Sequence, residues 1–77
     1  MDNNKELLVT RQELAAIVRR ETGIPVTPSR IAKDNAAGRG PHVAATFGKN
    51  YLYRPQDGIA YAKSLVRPMT RPNAKKL

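Results

Sequence analysis

The sequence predicts a small α+β domain: helix, tight turn, short helix, β-hairpin and closing helix. Three observations predict it. Thr10 and Glu13 frame one helix start that Gly23 and Pro25 bring to a stop. Thr27-Pro28 opens a second helix four residues after the first has ended. Between Val43 and Tyr53, β-favouring residues flank a Gly48-Lys49-Asn50 turn. With 77 residues in all, the chain holds one thin-cored domain, since about 60 residues bury only roughly 60% of their unfolded surface.

The first helix is expected over about Arg11–Thr22. Thr10 and Glu13 make a capping box, in which the hydroxyl accepts from one orphan N–H and the carboxylate from another. Leu14, Ile17 and Val18 recur at helical spacing, while Arg19 and Arg20 suit the negative end of the helix dipole. Ile24–Thr27 forms the turn. Thr27 caps a second helix over about Pro28–Ala37, with Pro28 at the first position, where its missing N–H is harmless. Val26 and Ile31 occupy the two positions of a hydrophobic staple, and Gly38 ends the helix. Such a pair is a helix-turn-helix candidate. Arg39-Gly40-Pro41 is a turn cluster, and a basic-tipped hairpin follows. Phe47, Tyr51 and Tyr53 are expected in the core, although paired tyrosines can also stack on bases. Pro55 opens a third helix over about Pro55–Val66, with Ile59, Ala62, Leu65 and Val66 on one face, and Pro68 closes it.

Charge divides the chain. Through Gly23, Lys5, Arg11, Arg19 and Arg20 balance Asp2, Glu6, Glu13 and Glu21. The remaining ten Lys and Arg face only Asp34 and Asp57, which yields the whole net charge of +8. So abrupt a step points to a polyanionic partner, foremost nucleic acid, whose dense phosphates reward clustered cations through counterion release. Half of that excess falls in residues 67–77, read as a disordered basic tail with two Pro and no acid. Residues 1–6 are read as a flexible N-terminus, leaving 7–66 as the folded domain. With no Cys and one His, no disulfide framework, thiolate metal site or nucleophile–base pair is expected. The expectation is therefore a non-enzyme without metal or cofactor. No apolar run approaches the roughly 18 residues of a membrane span, and the polar start is unlike a signal peptide. A cytoplasmic protein is expected.

Three stretches carry a resemblance: Thr10–Val18 (TRQELAAIV), Thr27–Pro41 (TPSRIAKDNAAGRGP) and Phe47–Ile59 (FGKNYLYRPQDGI). Within residues 8–66, their pattern resembles the winged helix-turn-helix domains of phage excisionases and the related MerR-like and AlpA-like regulators. Where that pattern has bulky apolar residues in the second helix, this chain has Asp34-Asn35, which implies lost core contacts. The resemblance implies a double-stranded DNA-binding protein. Its second helix would enter the major groove and its hairpin wing would reach the minor groove or backbone. Excisionases bind repeated sites cooperatively, bend the DNA and direct an integrase, and many repress a nearby promoter.

The residues themselves point to the same surfaces. On the second helix, Thr27, Ser29, Arg30 and Lys33 are the candidate contacts. Arg pairs bidentately with guanine, and Ser or Thr bonds phosphates or bases. The alternative is a solvated basic face. Arg39 at the junction and Lys49 and Asn50 at the hairpin tip are candidates for phosphate and minor-groove contact, or else simple turn residues. His42 reads as a surface turn residue. In the tail, Arg67, Arg71, Lys75 and Lys76 offer non-specific phosphate attraction or contact with a protein partner, or merely solubilise the chain end. Two other functions remain open: a transcriptional regulator using the same surface, and a protein-interaction module such as a phage-encoded inhibitor of a host protein.

Overall fold

In the computed structural model, residues 7–68 are described. The expected flexible segment 1–6 and the tail beyond Pro68 lie outside them. The first helix, α1, spans Arg11–Thr22, and its capping box forms as the sequence implies. Glu13 Oε1 accepts from the Thr10 backbone N–H at 2.9 Å, and Thr10 Oγ1 accepts from the Glu13 N–H at 3.2 Å. At the other end, Gly23 takes the left-handed conformation, φ 79°, and its N–H bonds the Arg19 carbonyl. The Val26 N–H reaches back to the Ile24 carbonyl at 2.9 Å, a tight three-residue turn centred on Pro25.

The second helix, α2, spans Pro28–Ala36, with Thr27 Oγ1 accepting from the Arg30 N–H. It stops through a Schellman arrangement: the Gly38 N–H bonds the Asn35 carbonyl, and the Arg39 N–H bonds the Asp34 carbonyl at 2.8 Å. Strands β1, Ala45–Phe47, and β2, Asn50–Leu52, pair antiparallel in the register Ala45↔Leu52, Thr46↔Tyr51, Phe47↔Asn50. The last helix, α3, spans Pro55–Leu65. One further bridge ties the chain together. Val9, just before α1, exchanges both backbone hydrogen bonds with Tyr53, just after β2, each at 2.9 Å.

The result is an α+β domain of three helices and one two-stranded hairpin, set between α2 and α3, among the described residues. Helix α1 packs against α2, α3 and β2. Its Leu14 and Val18 meet Ile31, Tyr53 and Ala62 in a core from which solvent is excluded, with Val9, Ala15 and Tyr61 nearly so. Each fully buried large aliphatic contributes about 1.5–3 kcal/mol. Helices α1 and α3 approach closely enough that Gly58 is required: a Cβ there would lie 2.7 Å from Leu14 Cγ. Val26 and Ile31 both reach the core, in keeping with the expected staple.

Three expectations need correction. Phe47 is not core but 74% exposed, and Tyr51 is 44% exposed, whereas Tyr53 is fully buried. The cause is a one-residue difference in the turn. A three-residue Gly48-Lys49-Asn50 loop would pair Phe47 with Tyr51. The actual loop is Gly48-Lys49, with Gly48 at φ 62°, so Phe47 pairs with Asn50 instead. A slip of one residue turns a strand position to the opposite face. Phe47 therefore lies on the face away from Tyr51 and Tyr53, and Tyr51 sits beyond the edge of the core. Val66 is also 51% exposed, because α3 ends before it and its backbone is extended.

The third correction concerns Asp34 and Asn35, which do not leave helix α2 without core contacts. Asp34 is only 5% exposed and accepts hydrogen bonds from Tyr61 Oη at 2.5 Å and Arg30 Nε at 2.9 Å. Asn35 Oδ1 accepts from Tyr53 Oη at 2.7 Å, while its amide donates to the Pro41 carbonyl at 3.0 Å. Polar side chains replace apolar packing with a satisfied network that joins α2 to the hairpin end, α3 and the junction loop.

Candidate nucleic-acid interface

The candidate residues on α2 begin at its cap. Thr27 has its hydroxyl engaged by the Arg30 N–H, which leaves its side chain able to donate outward. Ser29, Arg30 and Lys33 are exposed. Arg30 is not a loose surface cation, however. Its Nε is fixed on Asp34, one helical turn along, while the side chain stays 52% exposed. Its terminal nitrogens have no partner among the described residues, so the guanidinium is held at one edge and open at the other.

Electrostatics reinforce this arrangement. The hydrogen bond from Tyr61 and then that from Arg30 hold the Asp34 carboxyl below the ordinary value of 3.8, against the opposing effect of burial. Burial first, then the hydrogen bond to Asp34, pushes the Tyr61 phenol up to about 12. The hydrogen bond to Asp34 and the charge behind it raise Arg30. Asp34 is ionised, Tyr61 protonated and Arg30 charged at neutral pH.

Arg39 is exposed just past the Schellman turn, and its charge further favours ionised Asp34. Lys49 and Asn50 are exposed at the hairpin end, as is His42 on the junction. Arg67 is exposed after α3, while Arg71, Lys75 and Lys76 lie outside the described residues. The two acids that follow Gly23 are both paired: Asp34 with Arg30, and Asp57 with Arg54 at 3.9 Å. Lys33, Arg39 and Lys49 have no ion pair among the described residues.

Not all candidates converge. Lys49 and Asn50 share a groove of about 370 Å³ with Thr10, Arg11 and Gln12 of the α1 start, Pro28 of α2, and Tyr51. Arg30 and Thr27 line a different depression of about 300 Å³, together with Ile24, Pro25, Val26, Leu65 and Val66. The first turn of α2 thus borders two concavities, one on the hairpin side and one on the α3 side.

Sequence reasoning missed several residues here. Arg11 lies in a charge-neutral segment, and nothing in the local pattern marks it. Its guanidinium stands over the Tyr51 ring, 5.9 Å from the centroid, a cation–π distance. Asp34 carried a legible signal in its i,i+4 spacing from Arg30. Tyr61 had none, because its partner is 27 residues away. Phe47 was visible as a residue but was placed on the wrong face.

No protein-family model, no curated protein and no solved structure matches this chain.

Proposed function

We propose that this protein is a non-enzymatic, winged helix-turn-helix protein that binds double-stranded DNA, most simply as an excisionase-type recombination directionality factor. One observation carries the proposal. Cations project from α2, the junction and the hairpin end, while both acids of that part of the chain are already paired. Uncompensated positive charge on exposed, backbone-anchored positions suits a phosphate lattice.

Under this proposal α2 lies in the major groove. Arg30, steadied by Asp34, offers its terminal nitrogens to guanine O6 and N7, and Ser29 and Lys33 contact neighbouring bases or phosphates. The hairpin acts as the wing, with Lys49 and Asn50 at a minor groove or its phosphates. Phe47 gives the wing an apolar edge of the kind that wedges between base steps and bends DNA. Arg39 meets the backbone between them. The tail residues Arg67, Arg71, Lys75 and Lys76 add sequence-independent attraction. So small a reading surface covers few base pairs, which favours cooperative binding of several copies and action through a separate integrase. Repression of transcription would use the same surface.

The test is a gel-shift titration with duplex from the protein's own locus and with random duplex, followed by a footprint. Retardation is expected, with a log–log salt slope on the order of 4–6. No retardation at low salt would end the DNA proposal and favour a protein-interaction role. A footprint of repeated sites beside an integrase attachment site supports recombination control, and one over a promoter alone supports regulation.

A further inference from the structure

We infer that the groove between the α1 start and the hairpin end is a phosphate-binding site with Arg11 as its central cation. The inference rests on the DNA-binding proposal for the source of the phosphate, a backbone group of the duplex. It adds to the interface a helix from the charge-balanced part of the chain, residues 1–23.

Four observations meet in this groove. Arg11 of the α1 start and Lys49 of the hairpin end both line its volume of about 370 Å³. Gln12 and Asn50 line it as well, each with an amide able to donate to an oxyanion. Arg11 is preorganised, since the Tyr51 ring holds its guanidinium at 5.9 Å. Most telling, Arg11 Nε is closed off from solvent and meets no acceptor among the described residues. That inner edge is fixed by its surroundings, so the side chain can meet a groove ligand only through its outer nitrogens. With Nε closed off, the two terminal nitrogens are the edge that can grip two oxygens of a phosphate.

Glu13, in the same helical turn, does not line the groove. Glu13 Oε1 is turned to the cap, where the Thr10 N–H and hydroxyl both donate to it at 2.9 and 3.2 Å. The groove therefore presents two cations and two amides with its neighbouring carboxylate already engaged. Pro28, also on the wall, has no N–H to offer and only shapes the rim. A tetrahedral phosphate fits these donors better than a planar carboxylate, because they come from both the α1 start and the hairpin end.

The experiment has two arms on the full chain. In the first, inorganic phosphate is titrated against sodium chloride of equal ionic strength, and the Arg11 Nε–H and the Gln12 and Asn50 side-chain amides are followed by NMR. Saturable shifts with phosphate but not with chloride are expected. In the second, duplex binding is measured across salt concentrations for wild type, Arg11→Gln, Arg11→Lys and the exposed-turn variant Lys49→Gln. Arg11→Gln and Lys49→Gln should each lower the salt slope by about one, equally on specific and random duplex, and Arg11→Lys should restore most of it. If wild type binds duplex but neither substitution changes the slope and phosphate moves none of the three signals, the groove inference is overturned and the DNA proposal stands. If phosphate moves them but no duplex binds, the site survives as an anion site and the DNA proposal falls.

Discussion

Tyr61→Phe isolates the buried polar network from the packing around it. The ring stays and its volume is kept, so the change removes one hydroxyl donating to Asp34 at 2.5 Å. Tyr61 is only 7% exposed, so water does not take over the bond. Losing a hydrogen bond to a charged acceptor costs about 1.5–3 kcal/mol. Against a total stability of about 4–12 kcal/mol for a chain this long, that is a large fraction. For a domain of this size it amounts to a fall in Tm of about 6 °C or more. The assay is thermal unfolding followed by circular dichroism at neutral and at acidic pH. Asp34 titrates below its unfolded-state value of 3.8, so its ionised form stabilises the fold above that pH. That stabilisation is lost as the pH falls through the folded-state value. The gap between wild type and Tyr61→Phe should therefore be widest at neutral pH and should narrow below 3.8. A Tm within about 2 °C of wild type at neutral pH would refute the assignment of Asp34 and Tyr61 as a stabilising pair.

Gly58→Ala, which in an ordinary helix interior would stabilise, should destabilise by about 1–3 kcal/mol because the new methyl meets Leu14, and urea unfolding measures it. Phe47→Ala should leave stability within about 0.5 kcal/mol, since the ring is already in solvent, yet reduce DNA bending in a circular-permutation assay. Equal bending by both proteins would remove Phe47 from the interface. Arg30→Ala should weaken binding to a specific site by about tenfold or more while sparing random duplex, whereas equal losses on both would deny it a reading role.

What the sequence made legible is what local chemistry decides. The capping box of Thr10 and Glu13, the stops at Gly23 and Gly38, and Pro28 and Pro55 at their helix starts each involve residues within a few positions of one another. Helix boundaries consequently lay within a residue of expectation. The polar network was not legible, because Tyr53 meets Asn35 across 18 residues and Tyr61 meets Asp34 across 27. Without those partners, two polar side chains in a helix look like missing core. The hairpin's existence was legible but its register was not: choosing Gly48-Lys49 over a three-residue turn moves Phe47 from the core face to solvent. The pairing of Val9 with Tyr53 was hidden for the same reason, since one bridging residue leaves no alternating pattern to detect. Among the described residues no helix is long and apolar enough to cross a membrane.

That Val9–Tyr53 bridge makes the segment between them a closed ring with a noncovalent clasp. Trimming through Val9 opens it, and the hairpin then keeps its side-chain ties, Tyr53 to Asn35 and Tyr51 to Arg11, without the backbone pair. Amide exchange gives a direct gauge: the Val9 and Tyr53 amides, each bonded across the clasp, should exchange together and slowly. The Asn50 amide at the far end of the hairpin should exchange sooner, as that end breathes while the ring stays shut.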